Sequence, residues 1–247
     1  MNKIMLEEQM VLYSFPSDKP ERLGHNVYIL KDGQRALAID TGYQQHFQQV
    51  IDDLASEGVT IVKVVPSHFH TDSVDGVFLL NKPRIYGNEH AKATLMVNYD
   101  EEDVLILAPK KVLTNNAIIE FGGFKLRLIS APGHTDCSVL ININDQYLHV
   151  GGLYMQTDQG EAVLPYVKKS GVSGHIRSLS VIAKSKYSHY LLAHGPSPTT
   201  LALMESGIKE RVTYLTALRS SHYKCTLEEA LKDVKGPFRL QKWFKEL

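Results

Sequence analysis

The chain has 247 residues and a formal net charge of zero, with 27 basic and 27 acidic side chains. This length is enough to bury a core, and the charge balance does not favour nucleic acid or a charged membrane surface as a partner. Two distant cysteines, Cys137 and Cys225, give neither a disulfide framework nor a CxxC metal pair. We therefore expect a small-molecule substrate, no nucleic-acid or membrane partner, and leave the oligomeric state open.

Strands and helices alternate in the first part of the chain. Residues 1–10 lack the continuous apolar stretch of a secretory signal, and no segment reaches transmembrane length, so a cytoplasmic location is expected. Strands are predicted at 25–31 and 34–40, where Asp32-Gly33 forms a hairpin turn. Residues 44–57 have apolar side chains at helical spacing, and 60–66 (TIVKVVP) is typical of a buried strand.

The remaining elements continue this mixed pattern. We predict helices at 72–80, 88–97, 174–187, 199–221 and 227–234, and strands at 117–121, 124–130, 138–143, 146–150 and 189–193. Such an order suits layered sheets flanked by helices. The chain contains no long linker or repeat, so residues 1–247 are expected to form a single domain, of which 199–247 is a helical C-terminal extension.

A histidine-rich motif directly follows the predicted buried strand. Residues 67–72 read SHFHTD, and side chains alternate in an extended segment, so His68 and His70 point to one side while Asp72 follows at the turn. Two imidazoles and a carboxylate are ligands that Zn²⁺ accepts, and three protein ligands plus water are typical of a catalytic zinc site. The motif therefore predicts part of a metal site.

Two further histidines follow predicted strands. His134 stands in PGHT after the strand 124–130, and the glycine before it leaves the backbone room to approach a metal. His194 stands in AHGP after the strand 189–193. These two side chains are the candidates that complete the site.

With these motifs, most of the chain resembles the metallo-β-lactamase fold superfamily. The parts occur in the order of that family: a hairpin ending in IDTG, then HxHxD, the Gly-His-Thr histidine, a Gly-Gly strand end and a last histidine. The resemblance implies an αββα sandwich of α/β class with C-terminal helices. It also implies that His68, His70 and His134 hold one zinc ion, that Asp72 and His194 face a second position, and that Asp40 supports the site by hydrogen bonds.

Two departures from the family pattern indicate a degenerate second metal site. Ser73 stands where most hydrolases of this family have a histidine, and Leu153 stands where the lactamase-like branch has a cysteine or aspartate. Leucine cannot bind a metal, so we expect the second position to be weak or empty. Gln156 replaces the lysine that branch members use to hold the carboxylate of the drug.

The function expected from this resemblance is zinc-dependent hydrolysis of an ester, thioester, lactone or amide by a metal-bound hydroxide. Asp72 would be the catalytic group that orients the water or takes its proton. Two alternatives stay open: a non-catalytic member that binds metal or a ligand with a decayed second site, and a weak β-lactamase-like activity. A nuclease or an iron enzyme is disfavoured, because both need a fuller two-metal ligand set.

Several residues also have interpretations that involve structure instead of function. Asp72 could serve as a helix N-cap and Asp40 as a turn residue, and Cys137 is expected to be a buried, inert thiol. Tyr154, Tyr166 and Lys168 could line a pocket or lie in solvent. The remaining histidines are expected to be ordinary core or surface residues: His25, His46, His90, His149, His175, His189 and His222.

Overall fold

The computed structural model describes residues 1–19 and 21–247, in which two β-sheets pack face to face and helices cover both outer faces. This αββα arrangement confirms the predicted fold class. The apolar side chains separate into three clusters. One lies between the two sheets and one lies between each sheet and its helices, which gives four layers.

The first sheet has seven strands in chain order. Neighbouring strands are antiparallel from the first to the fourth and parallel from the fourth to the seventh. The strands are β1 (Asn2–Glu7), β2 (Met10–Phe15), β3 (His25–Asp32), β4 (Arg35–Ile39), β5 (Thr60–Val65), β6 (Arg84–Gly87) and β7 (Lys111–Val112).

The second sheet has five strands in the order β12-β11-β10-β9-β8. All neighbours are antiparallel except β11 and β12, which are parallel. The strands are β8 (Ala117–Phe121), β9 (Phe124–Ser130), β10 (Val139–Ile143), β11 (Tyr147–His149) and β12 (His189–Leu191).

Seven α-helices and four 3-10 helices complete the described chain. The α-helices are α1 (Gln44–Ser56), α2 (Thr71–Val74), α3 (Ala91–Leu95), α4 (Glu101–Leu107), α5 (Val172–Lys184), α6 (Leu201–Ser220) and α7 (Leu227–Leu231). The 3-10 helices are Asp75–Leu79, Gly151–Leu153, Lys169–Gly171 and Gln241–Glu246. Among residues 1–19 and 21–247, no helix combines the length and apolar character needed to cross a bilayer.

The helix α1 shows how the sequence pattern produces the outer layer. Its buried side chains are Phe47, Val50 and Leu54, which lie on one face of a 3.6-residue helix and pack onto the first sheet. The periodicity of residues 44–57 therefore predicted both the helix and its buried face. On the other side of the molecule, α5 and α6 cover the second sheet in the same way.

Several elements differ from the sequence prediction. The strands β1, β2, β6 and β7 and the helix α4 were not predicted, and the helix expected at 72–80 is divided into α2 and the 3-10 helix Asp75–Leu79. In β2, almost every residue is buried because layers cover both faces of the sheet. The strand β2 therefore shows no alternation of apolar and polar residues, and its apolar run was not recognised as a buried strand.

Candidate metal centre

The predicted metal-site residues stand in loops that leave the ends of strands. The motif that contains His68 follows β5, His134 follows β9, and His194 follows β12. Because the loops after these strands meet at one edge of the two sheets, residues that are far apart in sequence become neighbours.

Three of the predicted ligands form one compact cluster. His134 Nε2 lies 3.2 Å from His68 Nε2 and 3.1 Å from His70 Nδ1. One ligand atom from each ring lies within 4.8 Å of the others, and His68 and His134 are buried while His70 is half-buried. Three imidazole nitrogens that converge on one small volume are a donor set that can hold a divalent metal ion.

Asp72 and His194 lie together beside this cluster. Asp72 Oδ2 is 3.2 Å from His194 Nε2, and Asp72 Oδ1 is 3.8 Å from His68 Nε2. Within residues 1–19 and 21–247, this Oδ1 atom is buried and has no hydrogen-bond partner. A buried carboxylate oxygen beside three imidazole nitrogens fits a bound cation, because burying it without a partner would otherwise be costly.

Backbone carbonyls fix the orientation of two imidazoles. Tyr166 O lies 2.9 Å from His134 Nδ1, and Gly24 O lies 2.8 Å from His194 Nδ1. A carbonyl oxygen only accepts, so Nδ1 must carry the proton in both rings. In neutral His134 the lone pair is then on Nε2, which faces the other two histidines.

Two serines orient the imidazole of His68. Ser67 Oγ and Ser73 Oγ lie 3.0 and 3.2 Å from His68 Nδ1. When Nδ1 donates to these hydroxyls, Nε2 keeps its lone pair toward the cluster. Ser73, which the sequence identified only as a missing ligand, is thus a support of His68. No sequence signal could have revealed the contacts of Gly24 and Tyr166, because they use backbone atoms.

Burial keeps the triad neutral. Burial lowers the pKa of His68 to about 3, and the charge of His70 makes a smaller contribution in the same direction. Burial also lowers the pKa of His70. The pKa of His134 lies well below its ordinary value, because burial and the charges of His68 and His70 all lower it. Neutral imidazoles are the form that binds a metal, so protons compete little for these nitrogens near neutral pH.

The pair of Asp72 and His194 behaves in the opposite way. Burial would raise the pKa of Asp72, but the hydrogen bond to His194 and the neighbouring imidazoles lower it well below its usual range. Burial would lower the pKa of His194, but the bond to Asp72 raises it. Asp72 is therefore an ionised carboxylate at neutral pH, as a metal ligand or a proton acceptor must be.

Asp40 supports the site through a neighbour. Its carboxylate accepts from Ser67 N at 2.7 Å and from Ser67 Oγ at 2.9 Å, and Ser67 Oγ in turn contacts His68. Burial raises the pKa of Asp40 to about 7, although the bonds from Ser67 oppose this shift. The backbone of Asp40 has a φ of 55°, so it is also the turn residue that the sequence allowed.

Replacing Asp40 with asparagine is expected to weaken zinc binding about tenfold, the lower end of the range for groups that orient metal ligands. The amide can replace only one of the two accepting oxygens, so Ser67 and then His68 lose their fixed orientation. Competition with a chromogenic chelator measures the affinity. Asp32→Asn, an acidic residue at the end of β3 away from the site, is the control; equal affinities in the two variants would contradict this role.

The structure corrects the expectation that Leu153 stands at the metal-ligand position of the family. Leu153 is buried in the apolar cluster between the second sheet and its helices, with only 2% of its surface exposed. The neighbouring residue that faces the histidines is Gly152, where an added Cβ would contact the ring of His134. Position 152, and not Leu153, therefore controls the space beside the triad.

Two cavities meet at the triad. One has a volume of about 370 Å³ and the other about 1050 Å³, and both are lined by Tyr43, His70, Asp72, His134 and Tyr166. Lys168 lines the smaller cavity, whereas Tyr154 is buried against Arg211. Of the three residues considered as pocket-lining, Tyr166 and Lys168 therefore line one and Tyr154 lies in the core.

The larger cavity also contains residues that the sequence did not single out as functional. Half-buried or exposed rings at Tyr43, His46 and Trp243 line it together with the buried ring of His25. His46 and His25 were expected to be ordinary surface or core residues, because a single histidine carries no signal about its neighbours.

The αββα sandwich carries, at one sheet edge, a histidine triad that could hold a metal ion. The chain belongs to the metallo-β-lactamase superfamily, because the model of the family described as "Metallo-beta-lactamase superfamily" matches residues 20–153. Members of this superfamily are mostly hydrolases, which together with the triad supports a metallo-hydrolase.

One relative is similar to this chain in sequence, and several solved structures are similar to it in fold. The chain is 27% identical over 183 residues to "Beta-lactamase-like protein 2 homolog" of Drosophila melanogaster, covering 70% of this chain and 59% of the relative's length. A metallo-β-lactamase from Pontibacter korlensis has a similar fold, with a TM-score of 0.69, 15% identity and coverage of 84% and 98% of the two chains. A metallo-β-lactamase family protein from Thermus thermophilus has a TM-score of 0.62, 17% identity and coverage of 87% and 82%.

Proposed function

We propose that this protein is a zinc-dependent hydrolase that cleaves an ester, thioester, lactone or amide bond of a small molecule. The observation that carries the proposal is the cluster of His68, His70 and His134, whose ligand atoms lie within 4.8 Å of one another. The buried Oδ1 of Asp72 beside His68 adds a negative charge to the same volume. This donor set of nitrogens and a carboxylate fits zinc.

In this proposal, His68, His70 and His134 hold the metal, and Asp72 and His194 face the adjacent volume. The chemistry that zinc supplies when bound is polarisation of a substrate carbonyl and acidification of a water molecule. The carbonyls of Tyr166 and Gly24 keep the Nδ1 protons of His134 and His194 in place, so that their Nε2 atoms face the site.

Asp72 is the proposed proton acceptor. Its low pKa keeps the carboxylate ionised, and Oδ1 has no competing partner in the described part of the chain. His194 holds Oδ2 at 3.2 Å, which orients the free oxygen toward His68. Oδ1 can therefore orient a water molecule and take its proton during attack on the carbonyl.

The cavities and the composition support a small molecule as the substrate. The two cavities open beside His70 and His134 and have volumes suited to small ligands. The zero net charge does not favour a nucleic-acid substrate. The two cysteines are free, which supports a reducing compartment such as the cytoplasm.

The test compares the zinc-loaded and the chelator-treated protein on a panel of small esters, thioesters, lactones and amides. Because some proteins of similar fold are called metallo-β-lactamases, a β-lactam belongs in the panel. We expect hydrolysis of at least one bond type that zinc restores. Asp72→Asn should lower kcat about a hundredfold, the size expected for loss of a proton acceptor.

Asp75→Asn is the matched control, because Asp75 also lines the larger cavity but contacts Gln44 instead of the triad. Bound zinc without hydrolysis of any panel member would favour a non-catalytic member of the family that binds metal or a ligand. Failure to bind zinc would overturn the proposal.

A further inference from the structure

The walls of the larger cavity are rich in rings. Tyr43 and His46 line it from the start of α1, while Tyr166 and Trp243 line it from the second half of the chain. Tyr43 is 40% exposed and the other three rings are half-buried, so their surfaces are open to a ligand. Rings of this kind bind flat partners by stacking or by edge-to-face contact.

The ring of His46 is held in position before any ligand arrives. It stacks on Phe15 with the ring centroids 4.8 Å apart and on His25 with the centroids 4.9 Å apart. Phe15 and His25 also stack on each other at 5.1 Å, and each is only 4% exposed. A rigid support of this kind lowers the ordering cost of binding.

The second group of rings is joined to the metal centre. Trp243 contacts Tyr166 edge to face, with the centroids 5.4 Å apart, and the Tyr166 ring lies 6.1 Å from that of His70. Tyr166 O also accepts from His134 Nδ1. A ring bound beside Trp243 would therefore lie next to the proposed reaction centre.

The charges around the cavity limit what such a ring can carry. Apart from Asp72, the charged groups that the described residues bring to its lining are the carboxylates of Asp18, Glu21 and Asp75 and the guanidinium of Arg22. Lys168 lines the smaller cavity instead. A negative substituent on the ring would thus lie among like charges.

From these observations we propose that the larger cavity binds a planar aromatic group without negative charge, carried by the substrate of the triad. This inference rests on the proposed function, because it names the part of the substrate that lies beside the cleaved bond. The rings of Tyr43, His46, Tyr166 and Trp243 supply the affinity. The histidine triad then lies beside the bond that joins the aromatic group to the rest of the substrate.

The test uses soluble alcohols that cannot be hydrolysed: benzyl alcohol, cyclohexylmethanol and 4-(hydroxymethyl)benzoate. Trp243 is the only tryptophan of the chain, so its fluorescence reports on this cavity. Saturation-transfer NMR on the ligand protons gives a second readout. A merely apolar cavity would favour cyclohexylmethanol, which is the more hydrophobic compound. We expect benzyl alcohol to bind about fivefold more tightly, as ring contacts predict, and the benzoate more weakly than benzyl alcohol.

Variants at one position separate ring contacts from burial. His46→Phe keeps a ring and should retain the preference, whereas His46→Leu should reduce it from about fivefold to about twofold. Gln48→Leu, at an exposed position of α1 outside the cavity lining, is the control and should leave it unchanged. Equal or tighter binding of cyclohexylmethanol by the wild type, or absence of binding of benzyl alcohol, would overturn the inference.

Measurements on chelator-treated and zinc-loaded protein distinguish this inference from the proposed function. Retained preference for the ring in a protein that neither holds zinc nor hydrolyses the panel would refute only the function. Zinc-dependent hydrolysis without preference for the ring would refute only the assignment of the cavity.

Discussion

Replacing His70 with alanine is expected to reduce bound zinc from about one ion per chain to almost none after dialysis against limiting zinc. His70 Nδ1 lies 3.1 Å from His134 Nε2, and its loss leaves two of the three imidazole nitrogens of the cluster. Two protein ligands are fewer than the three that a catalytic zinc site has. Elemental mass spectrometry of the purified protein gives the number of zinc ions per chain.

His189→Ala is the matched control, because His189 is exposed at the start of β12 and lies outside the cluster. It should bind as much zinc as the wild type. Retention of zinc by His70→Ala would show that the metal is held elsewhere, and two ions in the wild type would show that the pair of Asp72 and His194 completes a second site.

Replacing Leu153 with aspartate is expected to lower the free energy of unfolding by about 3–5 kcal/mol and to add no metal. The resemblance to the family placed Leu153 at a metal-ligand position. Its side chain instead packs in the apolar cluster between the second sheet and its helices. A carboxyl group there would lose the packing of leucine and be buried without a partner. Urea unfolding, monitored by circular dichroism on the metal-free protein, measures the change.

Leu153→Met is the control for volume and should cost less than about 1.5 kcal/mol. Gly152→Ala tests the neighbouring position, because its Cβ would contact the ring of His134 and should weaken zinc binding. A stable Leu153→Asp variant that binds a second zinc ion would contradict the packing described here.

The family, the fold class and the five proposed metal-site residues could be predicted from the sequence. The HxHxD motif after β5 and the histidines after β9 and β12 stand at strand ends, and strand ends are visible in local patterns. The structure brings His68, His70 and His134 into one cluster and places Asp72 and His194 beside it.

The sequence was less informative where an element is short. The strand β6 has only four residues and β7 only two, whereas the longer strands β3 and β10 were predicted although almost all their residues are buried. Because periodicity needs several turns or pleats to be visible, such short elements show no pattern.

The kinds of ligand and their order along the chain follow from the amino-acid sequence alone, because they depend on residue chemistry and on local spacing. Three-dimensional packing was needed to establish that Gly152, and not Leu153, faces His134, and that Trp243 lines the same cavity as His46. The direction of a side chain at a strand end depends on the backbone of that turn, and contacts between distant segments depend on the packing of both sheets. Neither is encoded in the neighbouring residues alone.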